Sequence, residues 1–223
     1  MRLTIYNGSP RGKNGNTEIL LQKVVDGYES VSSPDIEWLQ LNNSKIRQSA
    51  HEAFSDSDLV LLGFPLYTDA MPGLVKEFIE SLAPYAGREG NPTMAFLVQS
   101  GFPESHHSRF VERYLEKLAW RLNAPYAGTI VKGGCEGVRM MSEKMNQKLF
   151  EGLHKLGANL AREDEFDHER LMSLAKPEKY PRILAPLFWL ALKLPVLQFY
   201  WNSQLKENGV YEERFARPFK ANV

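Results

Sequence analysis

Asn7-Gly8-Ser9-Pro10-Arg11-Gly12-Lys13-Asn14-Gly15-Asn16-Thr17 follows the short apolar run Leu3-Thr4-Ile5-Tyr6 and precedes a segment with helical spacing, Ile19, Leu20, Val24 and Tyr28. A strand, a glycine-rich turn and a helix in that order open a parallel α/β sheet. Three glycines allow a tight turn and close approach of the backbone to a ligand. The hydroxyls of Ser9 and Thr17, the Asn16 amide and the cations Arg11 and Lys13 are all suited to face an anion. The helix adds its N-terminal N–H groups and the positive end of its dipole, so a phosphate is the natural occupant. Asn16 is a candidate N-cap. The spacing is not that of a nucleotide P-loop, which needs four residues between Gly and Gly-Lys and then Ser or Thr. It does not fit the dinucleotide G-x-G-x-x-G pattern either.

Outward from this loop the alternation continues. Strands are expected over residues 36–41, 59–64, 94–98 and 128–132, with helices over 73–82, 108–122 and 142–160. Residues 59–64 are continuously apolar, as a central strand covered on both faces requires. Strand–helix alternation predicts a parallel sheet with helices on both faces. Ligands on such sheets bind beyond the carboxyl ends of the strands. Three polar or glycine-rich loops follow strands, at 7–17, 65–73 and 100–107, and therefore converge on one edge.

The bulk composition narrows the function. The chain has 223 residues, 43% hydrophobic and 24% charged, with 27 basic and 27 acidic residues, so it shows no basic footprint for nucleic acid. Its single cysteine, Cys135, excludes an intramolecular disulfide framework and fits a cytoplasmic setting. Residues 183–201 are apolar but contain Pro186, Pro195 and Lys193. A central Lys costs about 2.5–3.5 kcal/mol on insertion, so no transmembrane span is expected. After residue 162 the pattern changes to an acidic run (163–169), read as a solvated turn, and then to proline-punctuated hydrophobics. The sequence thus divides into a main domain, 1–162, and a C-terminal helical extension, 163–223, packed on the domain or on a partner subunit. Residues 186–192 are read as a helix burying one face.

Three loops together resemble those of the flavodoxin-like NAD(P)H-dependent FMN reductases and related flavin-dependent oxidoreductases. Asn7-Gly8-Ser9-Pro10-Arg11 leading to Asn16-Thr17 is similar to the flavin-phosphate loop of that family. Pro65-Leu66-Tyr67-Thr68-Asp69-Ala70-Met71-Pro72-Gly73, with Lys76 and Phe78 following, resembles its second flavin loop, and Ser100-Gly101-Phe102-Pro103-Glu104 its third. The resemblance covers roughly the first 160 residues. It implies a flavodoxin-like three-layer sandwich, a five-stranded parallel sheet in the order 2-1-3-4-5. It also implies that Ser9, Arg11, Asn16 and Thr17 bind the FMN phosphate. Pro65, Leu66, Tyr67, Thr68 and Asp69 would border the ring and ribityl chain, and Ser100, Gly101 and Glu104 would close the far side.

The implied activity is reduction of bound FMN by NADPH or NADH, then of a small-molecule electron acceptor such as a flavin, a quinone, or a nitro or azo compound. A homodimer is expected. The alternatives are an electron carrier serving a protein partner and a non-catalytic binding protein of the same fold. Some relatives carry a cysteine cluster between the second and third strands; residues 44–51 here contain none. Gly133-Gly134-Cys135-Glu136-Gly137 reads either as a connector or as a loop touching flavin or nicotinamide. His106 and His107 read as capping or solvated residues that lack metal-ligand partners, and no metal is expected.

Overall fold

The computed structural model of the chain describes residues 1–181, 183 and 195–217. Strands β1 (Arg2–Asn7), β2 (Asp35–Gln40), β3 (Leu59–Pro65), β4 (Thr93–Gln99) and β5 (Tyr126–Lys132) form one all-parallel sheet in the order 2-1-3-4-5. This is the expected flavodoxin-like order. Helices α1 (Asn16–Glu29) and α5 (Glu143–Glu163) cover one face, and α6 (His168–Leu174) adds Leu171 and Leu174 to that side. Helices α2 (Ser44–Ser55), α3 (Gly73–Ser81) and α4 (Arg109–Leu122) cover the other. Every residue of β3 is buried, which is the signature of its central position between two helical layers.

Helix α2 has no counterpart in the sequence reading. Its polar composition hides the pattern, for only Ala50 and Phe54 are buried. The acidic run is also more than a turn. Asp164 takes a left-handed conformation to end α5, Phe166 is buried, and the Asp167 carboxylate accepts from Arg170 N at 2.7 Å to start α6. Strand β3 runs one residue past its expected end, to Pro65, which still pairs in register with Gln99.

Two glycines set how closely α1 and α5 approach. A Cβ on Gly157 would lie 1.8 Å from the Val24 carbonyl oxygen, and one on Gly27 would lie 2.0 Å from that of His154. The helices therefore meet backbone to backbone, and any side chain at either point must drive them apart. Gly157→Ala is expected to cost about 3 kcal/mol or more in urea unfolding, at the upper end of overpacking effects. A near-neutral result would mean that the helices are not in this contact.

The chain divides into two compact units, Met1–Lys179 and Tyr180–Val223. The first runs past residue 162 because Phe166 and Ala175 are buried within it. Its last residues strap onto the turn before α4. Ser105 N donates to Pro177 O and His106 N to Glu178 O, both at 3.1 Å, and the Ser105 hydroxyl donates to Ala175 O. The Arg109 guanidinium grips Glu178 through three contacts of 2.7–3.2 Å and also meets Glu112 at 2.7 Å. The second unit contains α7 (Pro195–Glu207), after which the Tyr211 ring meets the cations of both Lys206 and Arg214. Residues 186–192 lie outside the described residues. No helix among the described residues is long and apolar enough to cross a membrane.

The hydrogen bonds from Arg109 hold the Glu178 carboxyl below its usual range. A depressed carboxylate pKa stabilises the fold above the unfolded value, roughly 4.3. That contribution fades as the pH falls through the lower folded value. Glu178 is partly solvated, its side chain 45% exposed, so the screened contribution is small. Glu178→Gln is expected to lower stability by about 1 kcal/mol at pH 7. The gap to the parent should close in acid below the carboxylate range, as read by urea midpoints at the two pH values. A gap that persists in acid would assign the loss to packing.

Candidate functional site at the carboxyl edge of the sheet

Each of the three loops begins by bonding to the neighbouring strand. Gly8 N donates to Gly63 O at 2.7 Å, Leu66 N to Gln99 O at 2.7 Å, and Ser100 N to Lys132 O at 2.9 Å. The sheet ladder thus carries on past the strand ends and holds all three loops along one edge.

The first loop is built around buried Asn7. Its amide donates to Gly12 O at 3.2 Å and to Glu18 Oε2 at 2.7 Å, while its Oδ1 accepts from Ser9 N at 2.9 Å. Gln40, at the end of β2, donates to the same Glu18 oxygen at 2.9 Å. Asn16 is not the N-cap of α1; Gly15 is. The Asn16 amide instead donates to Cys135 O at 2.7 Å and Glu136 O at 3.1 Å, and its Oδ1 accepts from Arg139 N at 3.3 Å. It ties the loop after β5 to the first loop.

With Gly15 as N-cap, α1 begins without a capping side chain. Among the described residues no side chain accepts from the N–H groups of Asn16, Thr17 or Glu18, and neither Arg11 nor Lys13 has an ion-pair partner. A helix start with open donors beside the Arg11 cation is a ready anion site. A Cβ on Gly15 would sit 2.6 Å from Ser9 Oγ, so any larger residue would close this cradle. The donor set therefore fits a phosphate.

Ser9, Arg11, Asn16, Pro65, Leu66, Tyr67, Ser100 and Gly101 line one narrow cleft, joined by Gln99 and Glu136. Its volume is about 40 Å³, room for a small polar group and not for a flavin ring. Tyr67, at its wall, and Phe102, outside it, are 47% and 45% exposed and offer aromatic surface. Thr17 is buried behind the cleft, its hydroxyl accepting from Gln99 Nε2 at 3.3 Å. Thr68, Asp69 and Glu104 do not line the cleft. A wider groove of about 710 Å³ lies at the start of β5, lined by Tyr126, Gly128, Glu163 and Phe166. None of the three loops reaches it.

Thr68 and Asp69 form the tip of a two-residue hairpin closed by Tyr67 N to Ala70 O and Ala70 N to Tyr67 O at 2.9 and 3.1 Å. Asp69 Oδ1 lies 3.0 Å from His107 Nδ1, and the His107 ring stacks on Phe102 with centroids 4.6 Å apart. The second and third loops are therefore linked by side chains. The loop after β5 is fixed to the third by Gly134 N to Phe102 O at 2.7 Å and Cys135 N to Ser100 O at 2.8 Å. Burial pushes the Cys135 thiol up to about 12, so it is a packed and unreactive group at neutral pH.

Sequence reasoning missed Gln99 and the Asp69–His107 contact, and Glu136 comes from the loop read either as a connector or as a flavin or nicotinamide contact. Gln99 carried a signal, a polar residue ending an apolar strand. The cross-loop contact carried none, because its partners are 38 positions apart. Thr68 and Asp69 have φ of 50° and 60°. A β-branched residue is strained there, by about 1–2 kcal/mol, whereas Asn tolerates the conformation. Thr68→Asn should raise the stability of the ligand-free protein by about 1 kcal/mol in thermal unfolding. A decrease would show that Thr68 contributes a contact worth more than the strain.

The model of the family described as having a flavodoxin-like fold matches residues 1–160. No curated protein matches the chain. Among solved structures, an azoreductase from Bacillus anthracis str. Sterne superposes with a TM-score of 0.55 at 16% identity, covering 71% of this chain and 99% of that one. An FMN-dependent NADH-azoreductase from Bacillus anthracis str. Ames Ancestor, in complex with FMN, gives 0.56 at 12% identity, over 73% and 100%. An NAD(P)H:quinone oxidoreductase from Methanothermobacter marburgensis gives 0.58 at 13% identity, over 75% and 99%. At these identities the superpositions speak to the fold. With a family match across its first 160 residues and the sheet order that goes with it, the chain belongs to the family of flavodoxin-like proteins.

Proposed function

We propose that the chain is an FMN-dependent oxidoreductase that takes hydride from NADH or NADPH and reduces a small acceptor, such as a flavin, a quinone, or a nitro or azo compound. One observation carries this reading. The uncapped start of α1 opens beside Arg11, at the same sheet edge as the exposed Tyr67 and Phe102. An anion cradle next to aromatic surface suits a molecule that has both a phosphate and a planar ring.

Ser9, Arg11 and the first N–H groups of α1, at Asn16 and Thr17, would hold the phosphate. Pro65, Leu66, Tyr67, Thr68 and Asp69 would border the ring and ribityl chain, with Ser100, Gly101 and Glu104 on the far side. When bound, a flavin supplies the hydride and electron chemistry between nicotinamide and acceptor. The protein's own part is positional. Asn7 and Glu18 keep the first loop folded, and Asn16 holds the loop after β5 against it. A homodimer and a cytoplasmic setting belong to the same proposal; the first rests on the resemblance and the second on the lone, reduced cysteine.

The test is an absorption spectrum of the purified protein with FMN added, followed by anaerobic NADH or NADPH. Bound flavin whose visible bands bleach on adding nicotinamide is the expected result. Bound flavin that stays oxidised would favour the electron-carrier alternative, and protein that binds no FMN would overturn the proposal.

A further inference from the structure

Beside the cleft, Glu104, His106 and His107 gather in the turn before α4. Each offers one ligand atom, and these atoms lie within 4.8 Å of one another. Their side chains are 22%, 33% and 28% exposed, so the group is shielded more than a solvated surface cluster.

Two observations bear on what this group holds. The Nδ1 atom of His106 is buried and has no hydrogen-bond partner among the described residues; Glu104 Oε2 stands 3.9 Å away. Leaving a polar atom in that state costs about 1–3 kcal/mol, and a cation would satisfy it. His107 is oriented from behind, with Nδ1 3.0 Å from the Asp69 carboxylate and the ring stacked on Phe102. Its Nε2 is then the nitrogen left to act as a ligand. A carboxylate bound to one imidazole nitrogen is the arrangement that fixes the tautomer and raises the basicity of a metal-binding histidine.

We propose that Glu104, His106 and His107 form a binding site for a divalent transition-metal ion, zinc by its donor set, with Asp69 orienting His107 from the hairpin of the second loop. Two imidazoles and one carboxylate are a known zinc set that leaves a coordination position for water. At bonds of about 2.0–2.1 Å, tetrahedral ligand atoms stand roughly 3.3 Å apart. The present spread closes by rotation of three side chains on one short turn. The ion would join the third loop to the tip of the second, across the mouth of the cleft. The site uses only side chains of this chain; it shares Glu104 and Asp69 with the flavin reading but does not depend on it, and a flavin-free titration separates the two.

The experiment is a calorimetric titration of the full-length, chelator-stripped protein with zinc chloride, without flavin. One equivalent should bind with a dissociation constant on the order of micromolar. Glu104→Gln and His106→Ala should each weaken binding at least about tenfold, and Asp69→Asn by roughly 10–100-fold. His168→Ala, on α6, should change nothing. Cobalt binding to the parent, read by its visible absorption, gives a second measure that needs no variant. Glu104→Gln keeps the comparison intact if His106→Ala fails to fold. Absence of zinc binding in this range, or binding that both Glu104→Gln and His106→Ala leave unchanged, would overturn the proposal.

Discussion

The contact of α1 with α5 is the constraint on which the rest of the edge depends. Helices normally stand 8–10 Å apart, with side chains between them. Here two backbones touch, through Gly27 against His154 and Gly157 against Val24. That contact fixes how α1 lies across the sheet, and so where its first turn emerges. Because Asn16 sits in that turn and bonds the carbonyls of Cys135 and Glu136, the loop after β5 takes its place from the same contact. The site is thus coupled to a packing feature well removed from it along α1.

Two of the loops that line the cleft, the first and the second, are held by different means. The first is over-supported: Asn7, Glu18 and Gln40 share hydrogen bonds in the interior, and the carboxylate of Glu18 stands in the first turn of α1, where the helix dipole favours it. A loop shaped before any ligand arrives spends little ordering entropy on binding. The second is a hairpin with two residues in the left-handed region, held across its tip by Asp69 and His107. One loop is held by polar groups satisfied in the interior, the other by its own backbone bonds and one side-chain contact to the third loop.

Much of this was legible in the sequence. Apolar periodicity placed all five strands and the α1, α3, α4 and α5 helices, because burial on one face or both leaves a local pattern. The convergence of the loops follows from parallel topology, and eight of the twelve expected site residues line the cleft. What was not legible has a common physical cause. Helix α2 buries too little for its period to show. Asn16 looked like a cap, but the choice between a local backbone donor and a distant carbonyl is settled by tertiary contact. Glu104 as a neighbour of the two histidines depends on the tightness of a short turn, which residue spacing alone does not specify.

The strap formed by residues 175–178 bears on what counts as the domain. The family match ends at residue 160, yet the turn that carries His106 and His107 donates hydrogen bonds to the backbone carbonyls of Pro177 and Glu178. Lys132, at the end of β5, donates to the carbonyls of Leu174 and Lys176 as well. A fragment cut at the edge of the match would keep all five strands and still leave the turn before α4 without its anchor. Sequence similarity and mechanical completeness therefore end at different residues in this protein.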